Sequence, residues 1–110
     1  MTVSLSEDEG NSWKYSLLLD SGETSYPDAV ESSDGAIYIV YDHGRCSFKE
    51  IICARITEED IIAGRLVNTD SYLKQIISKA PAVPDLPDGE LARVKSENES
   101  WCNKIFSAKF

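Results

Sequence analysis

The stretch Ser6-Glu7-Asp8-Glu9-Gly10-Asn11-Ser12-Trp13 decides the fold. It has the pattern Ser-x-Asp-x-Gly-x-(Ser/Thr)-Trp and stands between two strand-like runs, residues 1–5 and 13–19, where a hairpin turn belongs. Each fixed position has a task. Gly10 takes positive φ, which a tight turn needs and other residues resist. Asp8 is short enough to accept hydrogen bonds from turn N–H groups and close the loop locally. Ser6 bonds the same turn from the strand end. Trp13 opens the next strand, and its ring can fold over the turn and cover it. An ordinary turn between unrelated strands needs only the Asp and the Gly; here the rest of the pattern is present as well.

Working outward, Asp20-Ser21-Gly22 marks a turn, residues 26–32 read as a short strand, and Ser33-Asp34-Gly35 marks a second turn. Residues 36–42 alternate and hold Ile37, Tyr38, Ile39, Val40 and Tyr41, the strongest strand signal in the chain. Tyr38 and Tyr41 fall on opposite faces, one for the core and one for a neighbouring layer. Residues 42–47 read as a polar loop and 48–56 as the next strand. Thr57 is placed to cap a short helix, with Asp60 in the capping-box position and Gly64 as the stop. Residues 66–68 read as extended. Residues 72–78 carry Leu73, Ile76 and Ile77, a spacing that fits either a helical turn or a final strand. Pro81, Pro84 and Pro87 mark a linker that ends at Asp88-Gly89. Residues 90–110 read as a charged tail with an apolar end, Trp101, Ile105, Phe106 and Phe110, forming a last hairpin or no fixed structure. The domain expectation is one unit over residues 1–79 and a linker and tail over residues 80–110.

The chain's 110 residues allow one small domain, and its 42% hydrophobic content is that of a soluble globular protein. No apolar run approaches the roughly 20 residues that span a bilayer, and no basic stretch with an apolar core follows Met1, so no signal peptide is expected. Compartment is left undetermined. A net charge of −8 argues against nucleic acid as a partner, since a polyanion is repelled on approach. Three cysteines, Cys46, Cys53 and Cys102, at wide spacing argue against a disulfide framework. Cys53 lies in an apolar run and reads as a packed hydrophobe. His43 is the single histidine, too few with these cysteines for a metal site, and no cofactor is expected.

With these residues on the page, the chain resembles the C-terminal part of sialidase-like proteins built from BNR repeats, in which the Ser6–Asp8–Gly10–Trp13 pattern is called an Asp-box. Residues 1–5 leading into the box, Ser25-Tyr26-Pro27-Asp28-Ala29-Val30-Glu31, Asp34-Gly35-Ala36-Ile37-Tyr38-Ile39-Val40-Tyr41-Asp42 and residues 50–64 all share the likeness, which covers about residues 1–79. It implies an all-β fold, a partial β-propeller of about one and a half antiparallel blades, with a short helix and a C-terminal extension. A blade is a four-stranded antiparallel sheet that buries its faces against its neighbours. The remaining blades, or another copy of the chain, are therefore expected as partners to cover open edges.

The resemblance also implies a chemistry. In sialidases three arginines grip the substrate carboxylate, a tyrosine attacks the anomeric carbon with a glutamate as base, and an aspartate protonates the leaving group. A neutral phenol avoids repelling the carboxylate beside the reacting carbon, and tyrosine nucleophiles are a known exception to paired carboxylates. Tyr26 stands at the nucleophile's place. The family has a small residue after that tyrosine, and this chain has Pro27. The family's third arginine falls immediately before the strand that leads into the Asp-box, ahead of Met1, and its other two arginines, the glutamate and the acid aspartate fall on earlier blades; Arg45, Arg55, Arg65 and Arg93 match none of those positions, and Arg45 stands, with Asp28, as a substrate-binding candidate.

The expected function is the C-terminal portion of a glycoside hydrolase acting on terminal sialic acid or a related acidic sugar, inactive as an isolated chain. The alternative is a non-catalytic BNR propeller module that binds glycan or protein. Tyr26 reads as the nucleophile or as a strand-edge tyrosine packed beside Pro27. Asp28 reads as a sugar-hydroxyl ligand or a strand-end cap. Asp42, His43 and Arg45 read as a pocket mouth or a solvated loop with a local ion pair. Ser6, Asp8, Gly10 and Trp13 read as structural. Glu58, Glu59 and Asp60 read as an acidic first helical turn that complements the helix dipole, not as a calcium or acid-base site.

Overall fold

The computed structural model describes residues 1–80, of which Met1–Lys79 form one compact unit. The linker and tail expected beyond it lie outside the described residues. The architecture is all-β apart from one short helix. Strands β1 (Thr2–Leu5) and β2 (Tyr15–Leu18) form an antiparallel pair, with Leu5 opposite Tyr15 across the Asp-box turn. Strands β3 (Thr24–Glu31), β4 (Ile37–His43), β5 (Glu50–Ile56) and β6 (Tyr72–Lys79) form a four-stranded antiparallel meander in that order. Helix α1 (Glu58–Ala63) lies between β5 and β6.

The core follows from strand alternation. Ile39 and Tyr41 on β4, and Ile52, Ala54 and Ile56 on β5, turn the same way and are buried together with Leu17 and Leu19 from the first sheet and Ile61 from α1. Met1, Val3, Leu5 and Tyr15 close over this cluster from the β1–β2 side. Each such side chain removed from water contributes about 1.5–3 kcal/mol. Tyr41 is thus the core tyrosine. Tyr38 faces the other way, where its hydroxyl accepts from Arg55 Nε at 3.2 Å and its ring lies under the Arg55 guanidinium. That outer face also carries Val30, which is 64% exposed, and Val40.

The segment open to either reading, residues 72–78, is a strand. Ile76 pairs with Ile52 and Gln75 with Cys53, so the free edge of β5 recruits it. Both edge strands are irregular. The register of β3 shifts between Ser25 and Asp28, and that of β6 shifts twice against β5. Bulges of this kind twist an edge away from further pairing. β2 begins at Tyr15, two residues later than the sequence suggests, because the turn's bonds hold residues 11–13. β3 begins earlier, at Thr24.

The helix forms where its caps dictate. Thr57 Oγ1 accepts from the Asp60 N–H while the Asp60 carboxylate accepts from the Thr57 N–H, and Gly64 ends the helix with φ 68°. Asp60 does more than cap. Its carboxylate also accepts from the Val67 N–H at 2.7 Å, the Asn68 N–H at 3.0 Å and the Ser71 hydroxyl, so it organises the whole connection from α1 to β6. Burial alone would push its pKa up. The donors from Ser71, Val67, Asn68 and Thr57 outweigh that and hold the carboxyl at about 2.

A carboxyl whose folded pKa lies below its unfolded value stabilises the fold above the unfolded value and loses that contribution as pH falls. We expect Asp60 to contribute about 2 kcal/mol at neutral pH, lost progressively between the ordinary value of 3.8 and about 2. Urea titrations at stepped pH check this. Asp60→Asn lowers the denaturation midpoint at pH 7 and flattens the pH dependence in that window. An unchanged acid slope in the variant assigns the acid sensitivity to other groups.

Candidate functional site

The Asp-box turn is held by its own side chains. Ser6 Oγ accepts the Gly10 N–H at 2.8 Å, and Asp8 accepts the Ser12 N–H at 2.8 Å and the Ser12 hydroxyl at 2.6 Å. Gly10 has φ 87°, and the Trp13 ring lies beside it. Bonds from Ser12 hold the Asp8 carboxyl below its usual range. The indole covers one side of the turn yet stays 63% exposed, so the shielding expected of it is partial. Ser6, Asp8 and Ser12 satisfy one another and the turn's N–H groups.

Chain direction puts the remaining loops elsewhere. β1 runs into the Asp-box and β2 runs out of it, so the linker from β2 to β3 lies at the far end of the first sheet. The start of β3, the end of β4, the start of β5 and the end of β6 meet at that end, since Thr24 pairs with His43, His43 with Glu50, and Glu50 with Lys79. The β4–β5 loop, residues 44–49, is sharply folded. The Gly44 carbonyl accepts from the Ser47 and Lys49 N–H groups, and its own N–H donates to the Glu23 carbonyl. Gly44 has φ 57°, and a Cβ there would stand 2.6 Å from both the Ser47 hydroxyl and the Phe48 ring, so no other residue fits.

This end brings Tyr26 and Arg45 together. The Arg45 guanidinium carbon lies 4.7 Å from the centroid of the Tyr26 ring. Tyr26 sits in the β3 bulge with φ 49°, a left-handed backbone that is an outlier for an aromatic residue, and it is 67% exposed. Pro27 is part of the same bulge, where its missing N–H costs no ladder bond. The departure at Pro27 is therefore compatible with the backbone that presents Tyr26. Asp28 serves its own strand: its carboxylate accepts the Ala29 N–H at 2.9 Å, and it lines a small outer-face hollow of about 110 Å³ with Val30, Tyr38 and Val40.

A second group of polar side chains stands at the same end, on the inner face. Asp20, almost wholly buried, accepts from the Gly22 N–H at 2.8 Å and the Tyr41 hydroxyl at 3.2 Å, with Lys74 Nζ at 3.7 Å. Burial raises its pKa, and the Gly22 N–H, Lys74, Tyr41 and His43 together lower it below the usual range. Burial and the Asp20 charge push the Tyr41 phenol well up, so it stays a donor. His43 Nδ1 meets Glu50 Oε2 at 2.9 Å, and Lys79 Nζ lies 3.4 Å from Glu50 Oε1. The bond from His43, ahead of Lys79, holds the Glu50 carboxyl low. The His43 ring stacks on Phe48 at 5.2 Å with 3° between planes.

The expected local ion pair among Asp42, His43 and Arg45 is thus not what forms. His43 takes Glu50, Arg45 takes the Tyr26 ring, and the Asp42 carboxylate takes the Ser25 hydroxyl at 3.4 Å. The partnerships of Asp20 and Glu50 with Lys74 and Lys79 were missed in sequence, where the partners are far apart. The one available signal was a buried-strand position, Glu50, beginning an apolar run. Cys53 is a buried free thiol, in keeping with its place in an apolar run. Among the described residues no helix is long and apolar enough to cross a membrane.

No protein-family model, curated protein or solved structure matches the chain, so the site stands on its own geometry.

The backbone at Tyr26 yields a direct test. Where φ is negative, Ala is more stable than Gly; in the left-handed region the order reverses, because the Cβ penalty is roughly 1–2 kcal/mol. Tyr26→Gly is expected to be more stable than Tyr26→Ala by about 1 kcal/mol in urea denaturation. The opposite ranking would mean that the bulge does not hold this residue in solution.

Proposed function

We propose that this chain is the C-terminal portion of a sialidase-like glycoside hydrolase acting on a terminal acidic sugar, with Tyr26 as the nucleophile and Arg45 on the substrate carboxylate. The carrying observation is the presentation of Tyr26. An exposed phenol stands on a strained bulge with a guanidinium over its ring, at the end of the sheets away from the Asp-box turn. A left-handed backbone at an exposed aromatic residue in a strand bulge supports a functional reading of Tyr26. Arginine's planar fork matches a carboxylate, and a neutral tyrosine can approach an anomeric carbon that carries one. Asp28, two residues on, is the further candidate for a sugar hydroxyl.

The fold supports the same reading. Part of one sheet is followed by a four-stranded antiparallel meander, with the Asp-box in the first hairpin. That is the order expected of one and a half propeller blades, and the exposed Val30 and Val40 face is where the next blade would pack. In this reading the glutamate base, the acid aspartate and the other arginines come from preceding blades, so the chain by itself binds but does not turn over.

Two measurements test this. In ¹⁵N spectra of the chain, free sialic acid at millimolar concentration is expected to shift signals of residues 23–28 and 42–49, and Arg45→Ala to remove the shifts. Joined to its upstream blades, the protein is expected to hydrolyse a fluorogenic sialoside, and Tyr26→Phe to lower kcat by at least about a thousandfold, as loss of a nucleophile does. Binding with no turnover in the assembled propeller would instead identify a non-catalytic glycan-binding module. No shift at these residues removes the acidic-sugar reading altogether.

A further inference from the structure

The chain has 5 tyrosines, and all of them lie within the described residues. Most have their phenols engaged or covered. The Tyr41 hydroxyl donates to buried Asp20, the Tyr38 hydroxyl accepts from Arg55 Nε, the Tyr72 hydroxyl lies 4.0 Å from Cys53 Sγ, and Tyr15 packs half-buried against the core. Tyr26 is the exposed one, and among the described residues its hydroxyl has no hydrogen-bond partner. We propose that Tyr26 is the acceptor of a phosphoryl group and that Arg45 receives the phosphate once it is attached. This does not depend on the glycosidase reading; where that reading holds, the modification switches the nucleophile off.

Access favours Tyr26 over the others. It lies on β3, an edge strand of the four-stranded sheet, where the register shift between Ser25 and Asp28 leaves Tyr26 and Pro27 without partners on β4. Pro27 has no N–H to lose. A modifying enzyme therefore reaches this backbone from the open side without breaking a ladder bond. Tyr38 and Tyr41 lie on β4, which is paired on both sides. The step is a phosphoryl transfer from a nucleoside triphosphate. The Tyr26 hydroxyl oxygen bonds the γ-phosphorus, the bond from that phosphorus to the nucleoside diphosphate breaks, and the phenolic proton passes to the modifying enzyme's base.

The receptor is already in place. Acidic residues number 19 against 11 basic ones, yet among the described residues Arg45 is in no ion pair. Its guanidinium lies over the Tyr26 ring, 4.7 Å from the centroid. The nearby carboxylates are held elsewhere: Asp28 takes the Ala29 N–H, Asp42 the Ser25 hydroxyl and Glu23 the Ser47 hydroxyl. A phosphate on the phenol brings a charge of about −1.5 to −2 at neutral pH and three acceptor oxygens. The guanidinium has only to move from the face of the ring to its hydroxyl end to take them in its planar fork. The loop keeps it within reach, because the Gly44 N–H donates to the Glu23 carbonyl at the start of β3. The phosphate then ties β3 to the β4–β5 loop and occupies the fork that would otherwise meet a ligand carboxylate.

Two experiments on the full chain test the two halves. In the first, a tyrosine kinase of broad specificity and Mg²⁺-ATP modify the chain, and mass spectrometry maps the sites over time. Tyr26 is expected to be modified at least about tenfold faster than any other tyrosine, since the others must first open locally. Tyr26→Phe is expected to remove that fast phase. No incorporation at Tyr26, or faster incorporation at another tyrosine, overturns the acceptor. In the second, phosphotyrosine is placed at position 26 during translation and ³¹P NMR follows its titration. The second proton of a free phosphotyrosine leaves near pH 6, at about its ordinary pKa. Beside the guanidinium it is expected to leave at lower pH, and Arg45→Ala to restore the ordinary value. The same titration with and without Arg45 overturns the receptor. Free sialic acid added to the unmodified chain decides the glycosidase reading separately: shifts at residues 23–28 keep that reading whatever the kinase does.

Discussion

Asp20 joins the two sheets, and the rest of the described structure depends on that joint. It ends the first sheet and begins the linker to the second. Its backbone carbonyl accepts from the Met1 amino group at 2.6 Å, and its N–H donates to the Met1 carbonyl. Its carboxylate reaches down to Tyr41 in the middle of the core and across to Lys74 on the far edge strand. A buried carboxylate without partners is costly enough to unfold a small domain. With donors from Gly22, Tyr41 and Lys74 the carboxylate instead fixes where β4 and β6 stand relative to the linker, and the backbone bonds to Met1 hold the chain that enters β1 beside it. The direction in which β3 sets out is then determined, and with it the position of Tyr26.

The Asp-box turn is closed by bonds within a few residues, with Glu9 at φ 59°, and α1 is closed by its capping box and by Gly64. At the other end Tyr26 and Lys49 have positive φ without being glycine, and Gly44 occupies a space that excludes a Cβ. Strain of this kind persists only where surrounding packing over-determines it. Here the stacked His43 and Phe48, the Glu50 clamp and the Asp20 joint provide that packing. A rigid frame with strained, exposed groups mounted on it is what a site for ligand or catalysis requires.

Much of this was legible in the sequence where the interactions are local. The Asp-box bonds, the capping box of Thr57 and Asp60, and the inward set on β4 follow from spacings of two to four residues, and the structure shows each of them. Residues 72–78 were undecidable because Leu73, Ile76 and Ile77 suit a helix face as well as a strand. The deciding fact is that β5 has a free edge, which belongs to the sheet and not to the segment. The same holds for the site. Tyr26 and Arg45 were each visible as residues of interest, but their contact depends on a bulge and a folded loop. The reach of Asp60 to Val67, Asn68 and Ser71, and the meeting of Glu50 with Lys79, need the chain to have returned on itself before they exist.

Charge distribution bears on which ligand this end can receive. The chain is acidic overall, which by itself would repel an anionic sugar. The excess is not evenly spread. Glu31, Asp34, Glu58 and Glu59 gather around one hollow at the β3–β4 turn and the start of α1, and Glu7, Asp8 and Glu9 crowd the Asp-box. At the Tyr26 end Arg45, Lys49, Lys74 and Lys79 stand among the carboxylates, and the two most buried of those, Asp20 and Glu50, are already matched by ammonium groups. Arg45 is the basic group of that end that lies over the Tyr26 ring. The net charge that argues against a polyanion such as nucleic acid is thus compatible with a single carboxylate held at one arginine.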